Sequence, residues 1–179
     1  MTGLAVQDLL GPRAAELKLR FVAGAEYGRR PIREPAVNRP GLALTGFYRY
    51  FANRRVQICG LAEMTYLKAL PPEERAARWL RLFSAGIPCL ILARNLRATP
   101  EMLAAAIRYR TPLLRTELQT SRLAQVAARV IEDLTAPSAR VQGTTVDMQG
   151  IGIMIEGPPG IGKSEIALGL LLSLIHISE

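Results

Sequence analysis

The sequence predicts an α/β protein, and three features carry that expectation. Short apolar runs of strand length recur in "RRVQICG", "IPCLILAR" and "TPLLRT". Stretches of helical length separate them, and a strand–glycine loop–helix pattern lies near the carboxyl end in "GIGIMIEGPPGIGKSEIALGLLL". Continuous apolar strands belong to sheets covered on both faces, and their alternation with helices points to a parallel or mixed sheet rather than to a meander of hairpins.

Taken in order, "TGLAVQDLLG" reads as a capped helical turn closed by Gly11-Pro12, and "LKLRFVAG" alternates like a strand. Pro31, Pro35 and Pro40 interrupt "RPIREPAVNRPGLALTGF", which is expected to be extended and loop-like. "RRVQICG" is a short buried strand followed by a helix in "LAEMTYLKAL". "PEERAARWLRLFSAG" is a second helix, with proline in its first turn, early acids and Gly86 at its end. After the strand "IPCLILAR" comes a helix in "TPEMLAAAIRYR", capped by Thr99, then the strand "TPLLRT" and the helix "LQTSRLAQVAARVIEDL". Thr135 to Gly143, "TAPSARVQG", breaks the pattern and is the best linker candidate. "TTVDMQGIGIMIEG" then reads as two strands with a turn at Gln149-Gly150. No internal repeat is present.

A chain of 179 residues suits one domain, or one domain and part of a second. With 49% hydrophobic and 21% charged residues, a long disordered region is not expected. The net charge of +8 comes from 23 basic against 15 acidic residues, and only Lys18, Lys68 and Lys163 are lysines. The arginines occur as scattered pairs such as Arg29-Arg30 and Arg54-Arg55. They are read as solvated surface, with no nucleic-acid partner expected. Tyr48, Tyr50, Phe51 and the Thr65–Leu67 segment are read as packing rather than as a base-stacking platform. Cys59 and Cys89 sit in apolar runs without metal-ligand spacing, as buried thiols of a reducing compartment do. The amino terminus lacks signal-peptide order, and no apolar stretch reaches the ~18 residues that span a bilayer. A cytoplasmic protein with no membrane partner is therefore expected.

Gly157 to Ser164, "GPPGIGKS", matches the pattern G-x-x-x-x-G-K-[ST] in full. Gly157, Gly160 and Gly162 leave room for backbone N–H groups to curl around a phosphate, and a helix N-terminus adds its positive end. Lys163 supplies a mobile cation for the β/γ-phosphates, and the Ser164 hydroxyl is a Mg²⁺ ligand candidate. Glu165 follows, but on a helix it points away from the face of Ser164. Phosphate binding alone does not name a reaction, because in-line transfer also needs a metal-binding acid and a base.

The chain resembles the HPr kinase/phosphorylase family, the bifunctional bacterial enzymes acting on the phosphocarrier protein HPr. The resemblance rests on the order and spacing of "VQDLL", "LKLRFVAGAEYGRRPI", "NRPGLALTGFYRYFANRRVQICGLAEMTYL", "IPCLILAR", "PLLRT", "TSRL" and "VQGTTVDMQGIGIMIEGPPGIGKSEIAL". It implies an N-terminal α/β domain like the first domain of Mur ligases over residues 1–132. A phosphate-loop (P-loop) kinase domain of phosphoenolpyruvate-carboxykinase-like fold would begin over residues 133–179. It further implies an ATP- and Mg²⁺-dependent protein serine kinase that also removes the phosphate by phosphorolysis, working as a cytoplasmic homohexamer on HPr or a nitrogen-type HPr paralogue.

By position, Gly157, Pro158, Pro159, Gly160, Ile161, Gly162, Lys163 and Ser164 would bind ATP, Lys163 would be catalytic and Ser164 would touch Mg²⁺. Gln142 stands where the family has a histidine, and glutamine neither titrates nor carries charge. Pro158-Pro159 is a second departure, from the family's acidic or basic residue followed by Ser, and neither proline can donate an N–H. The "GPPG" flavour is shared with AAA-type ATPases, one alternative reading. A non-enzymatic regulatory module that binds a ligand or partner is another. The tail "LLSLIHISE" departs a third time, and residues from about Ser173 onward are expected to be foreign to a C-terminally truncated gene. His176, the only histidine, lies in that tail and is not expected to be catalytic.

Overall fold

A computed structural model describes residues 3–137 and 141–175, with the side chains of 174 and 175 outside the description. His176 and the end of the tail therefore lie outside the described residues. The backbone forms two compact units, Met1–Ala136 and Pro137–Glu179.

The first unit is built on a five-stranded sheet. Its strands are β1 (Arg20–Ala23), β2 (Val37–Asn38), β3 (Val56–Cys59), β4 (Leu90–Leu92) and β5 (Leu113–Arg115), in the order β1-β5-β4-β3-β2. β2 to β5 run parallel, and β1 closes the edge antiparallel to β5. The helices are α1 (Gly41–Thr45), α2 (Leu61–Lys68), α3 (Pro72–Ser84), α4 (Pro100–Arg108) and α5 (Thr120–Thr135). The sheet is therefore mixed but dominated by parallel pairs, as the apolar runs predict.

Alternation along the central strands splits the core into two layers. Val56, Ile58, Ile91, Ala93 and Leu114 face one cluster, where α5 contributes Leu123, Val126, Ala127, Val130 and Ile131. That spacing of three and four is the apolar stripe of an amphipathic helix. Cys59, Leu90, Leu92 and Leu113 face the other cluster, which α3 and α4 cover with Trp79, Leu82, Phe83, Met102, Ala105 and Ala106. The result is a sheet between two helical layers.

Gln57, buried in β3 with no exposure, is held by three partners. Its amide donates to the carbonyls of Ala52 (2.9 Å) and Arg55 (2.8 Å), and its oxygen accepts from Asn38 at 2.8 Å. Such full pairing is what makes a buried amide tolerable, and it ties the Ala52–Arg55 loop to the sheet. Thr99 caps α4 as expected, its hydroxyl accepting from the Met102 N–H at 3.3 Å.

Three local expectations are revised. The Pro-rich stretch holds a one-turn helix, Gly41–Thr45, because Pro40 sits at the N-cap, where its missing N–H costs nothing. Gly46 ends that helix at φ 111°. The first strand is also shorter than its alternation suggests. Val6–Leu10 and Pro12–Leu17 are 3₁₀ turns, and Lys18 at φ 48° closes the second of them before β1 begins. Finally, Tyr48 and Phe51 pack edge to face at 5.4 Å against the core, but Tyr50 is 78% exposed and does not.

Both cysteines are fully buried and unpaired. Burial pushes both thiols up, Cys89 to about 12, although the nearby Arg30 opposes the shift. They are expected to resist a thiol reagent in the folded chain and to react fully in denaturant. Raised folded-state values also mean that their contribution is intact below the unfolded thiol value. It is lost as pH climbs above about 9, which an alkaline unfolding series reads directly.

In the second unit, β6 (Gly143–Met148) and β7 (Ile151–Glu156) form an antiparallel pair followed by α6 (Lys163–Ile175). The hairpin turns through Gln149 and Gly150, both at positive φ (54° and 83°), with the Gly150 N–H donating to Asp147 at 2.9 Å. Two left-handed residues between Met148 and Ile151 are the signature of a type I′ turn. Among the described residues, no helix is long and apolar enough to cross a membrane.

Candidate functional site

The chemistry read from the sequence gathers in the second unit, at one end of its hairpin. The β6–β7 register pairs Gly143 with Glu156, so Gln142 and Gly157 are the next residues outward at the same end. The structure thus brings Gln142 to the end of the hairpin from which the glycine loop leaves. Gln142 is exposed there.

From Gly157 to Gly162 the chain turns from β7 into α6. Gly160 (φ 84°) and Gly162 (φ 89°) both lie in the left-handed region, where a Cβ is strained. At Gly162 a Cβ would also stand 2.9 Å from the Glu165 carboxylate. Among the described residues, the N–H groups of Gly160 through Glu165 donate to no protein acceptor. These are the donors at the loop and the start of α6, and they form a nest-like array that suits a phosphate. Pro158 and Pro159, lacking N–H groups, interrupt none of them.

Lys163 reaches back across the loop, and its Nζ donates to the carbonyls of Gly157 (2.8 Å) and Pro158 (2.7 Å). The ammonium is thereby stationed over the glycine loop. Ser164 is exposed in the first turn of α6. Glu165 approaches Gly162 rather than standing clear of the loop. Among the described residues no cluster of three or more His, Cys, Asp or Glu side chains is placed to hold a metal.

The faces of this unit are apolar and open. Ile151, Met154, Ile161, Ile166, Leu168 and Leu172 are each about half exposed or more, while Val146 and Ala167 are buried. A two-stranded sheet with one helix has little core of its own.

The first unit contributes features that sequence reading does not reveal. Arg39 donates twice to the buried Glu63 carboxylate, at 3.0 and 2.8 Å. A largely apolar cavity of about 640 Å³ lies among α2, α3 and the start of α4, with the Arg75–Glu101 ion pair (2.7 Å) on its wall. That guanidinium holds the Glu101 carboxyl down to about 2. The spacing between partners in these pairs, 24 and 26 residues, leaves no short-range signal in the sequence.

Comparison with known proteins identifies the lineage. Residues 4–131 match the family described as HPr Serine kinase N terminus. The HPr kinase/phosphorylase of Clostridium acetobutylicum is 39% identical over 168 residues, covering 94% of this chain and 54% of the relative. That of Bacillus licheniformis is 38% identical over 156 residues, covering 87% and 50%, and that of Shouchella clausii 36% over 171 residues, covering 96% and 54%. The chain thus spans about half the length of the curated relatives it matches. Among solved structures, the CBS and DRTGG domains of a Clostridium perfringens pyrophosphatase regulatory region show a loose likeness. Its TM-score is 0.48 at 10% identity, covering 73% of this chain and 51% of that one. With the family match spanning most of the chain and its relatives alike in name, the protein belongs to the HPr serine kinase N-terminal family.

Proposed function

We propose that this chain carries the N-terminal domain and the phosphate loop of an HPr kinase/phosphorylase, an ATP- and Mg²⁺-dependent enzyme acting on a serine of HPr or a nitrogen-type paralogue. The observation that carries this reading is the run of N–H groups from Gly160 to Ser164 that, among the described residues, donate to no protein acceptor beneath the Lys163 ammonium, in a chain whose relatives bear that name. The N-terminal domain occupies about residues 1–132 and the kinase domain opens near 133. The full-length protein is a cytoplasmic homohexamer in this reading.

Gly157 to Ser164 bind the phosphates of ATP, the nucleotide that supplies the transferred phosphoryl group. Backbone donors at Gly160 to Ser164 orient the anionic oxygens, and Lys163 exchanges its two carbonyl partners for the β/γ-phosphates. The Ser164 hydroxyl is the one loop side chain fit to ligate Mg²⁺. Gln142 donates or accepts a hydrogen bond at the loop mouth but moves no proton, so a phosphorylase step that needs a base there is weakened.

Lys163→Ala is expected to weaken binding of a fluorescent ATP analogue by about 10–100-fold, the worth of a charge-assisted contact. Equal affinity of both chains would reject the loop assignment. Among the described residues no group of three or more His, Cys, Asp or Glu is placed to hold a metal, and the 179 residues alone are expected to transfer no phosphate to HPr.

A further inference from the structure

A second basic feature lies in the first unit, at the amino-terminal ends of β3 and β4. A recess of about 460 Å³ is lined there by Arg30, Arg33, Asn53, Arg54 and a rim of Pro31, Gly86 and Pro88. Three guanidinium groups line it and no carboxylate does. None of its residues belongs to the loop at 157–164. We propose that this recess binds a small multivalent oxyanion of the phosphate type.

Arg30 has a structural duty. It is half-buried, and one of its terminal nitrogens donates to the carbonyls of Tyr109 (3.1 Å) and Arg110 (3.0 Å) just beyond α4. The other two arginines have none: among the described residues, no carboxylate pairs with Arg33 or Arg54. Glu34, the carboxylate adjacent in sequence, is taken up by Arg55. Five arginines elsewhere, Arg39, Arg55, Arg75, Arg78 and Arg129, do have acidic partners. Unneutralised like charges in one concavity repel one another, and an anion relieves that repulsion. Burial and the neighbouring Arg33 both disfavour the charged form of Arg30.

The walls are also prepared for an anion. The carbonyl of Ala85, at the end of α3, would present negative potential to the recess, but Asn53 donates to it at 2.6 Å. Arg30 does the same for the carbonyls after α4. Gln57 anchors the loop bearing Asn53 and Arg54 through Ala52 and Arg55, so these side chains start from a fixed backbone. Guanidinium forks match phosphate oxygens bidentately, and several of them in one recess suit a multivalent anion. A recess of this size suits a compact ligand rather than the long backbone of a duplex.

The test is calorimetric titration of sodium tripolyphosphate into the 179-residue chain carrying Lys163→Ala, which weakens the phosphate loop. Binding is expected to persist in that background. It should weaken at least tenfold when Arg33→Glu and Arg54→Glu are added, with an unchanged unfolding midpoint. If the reversal pair shifts the midpoint, Arg33→Gln with Arg54→Gln decides by the same tenfold criterion. No binding in the Lys163→Ala chain overturns the proposal, as does affinity indifferent to the arginine substitutions. Binding of a DNA duplex without any response to tripolyphosphate also overturns it. Because the arginine substitutions leave the loop at 157–164 untouched, failure here is separate from failure of the ATP-binding reading.

Discussion

Replacing Trp79 by alanine is expected to lower the unfolding free energy of the first unit by about 3–5 kcal/mol, enough to unfold a marginal domain. Trp79 is completely buried between α3 and the sheet, tilted against Phe83 with ring centroids 6.3 Å apart. It is the largest side chain in the cluster that also holds Leu82, Leu90, Leu92 and Met102. Truncation removes that volume and leaves a cavity that a sheet on one side and a helix on the other cannot collapse to fill. Phenylalanine should cost far less. The indole N–H has no acceptor among the described residues, so losing it removes an unpaired polar group along with some volume. Because Trp79 is the single tryptophan, urea unfolding followed by circular dichroism is the right measurement. Equal losses for Phe and Ala would show that volume is not what the site demands.

Removing the Arg39 side chain is expected to cost about 2–3 kcal/mol, below the roughly 3–5 kcal/mol for breaking a fully buried ion pair. The Glu63 side chain is only 4% exposed, whereas that of Arg39 is 52% exposed, and water reaching the arginine softens the loss. One Glu63 oxygen accepts both Arg39 donors, and the other accepts from the Gly60 N–H at 2.9 Å, closing the start of α2. In Arg39→Ala the carboxylate keeps only that backbone donor. Adding Glu63→Gln should recover part of the loss, since glutamine still accepts from Gly60 but buries no charge. A double variant less stable than Arg39→Ala alone would mean that the carboxylate is not the source of the penalty.

Sequence and structure agree where the physics is local. "VQIC" and "LIL" in "CLILA" become central strands because each can be buried on both faces. The stripe Leu123, Val126, Ala127, Val130 and Ile131 becomes a core-facing helix because its period is helical. Gln149-Gly150 becomes a tight hairpin because both residues accept positive φ. The glycine loop is legible for the same reason, since its pattern encodes backbone freedom and a free donor array. What is not legible depends on distance along the chain. Arg30, Arg33 and Arg54 look like scattered surface charges in the sequence, and only the sheet brings their loops to one recess. Tyr50 reads as packing from its aromatic neighbours yet stands in solvent, because the turn after α1 directs Tyr48 and Phe51 inward instead.

The most direct test of the central claim is amide hydrogen exchange of this chain, residue by residue, with and without ATP and Mg²⁺. The Gly160 to Ser164 amides, which donate to no protein acceptor among the described residues, should become protected when nucleotide is added, and Lys163→Ala should need about 10–100-fold more ATP for the same protection. Unchanged exchange at these five amides at saturating ATP would contradict the account.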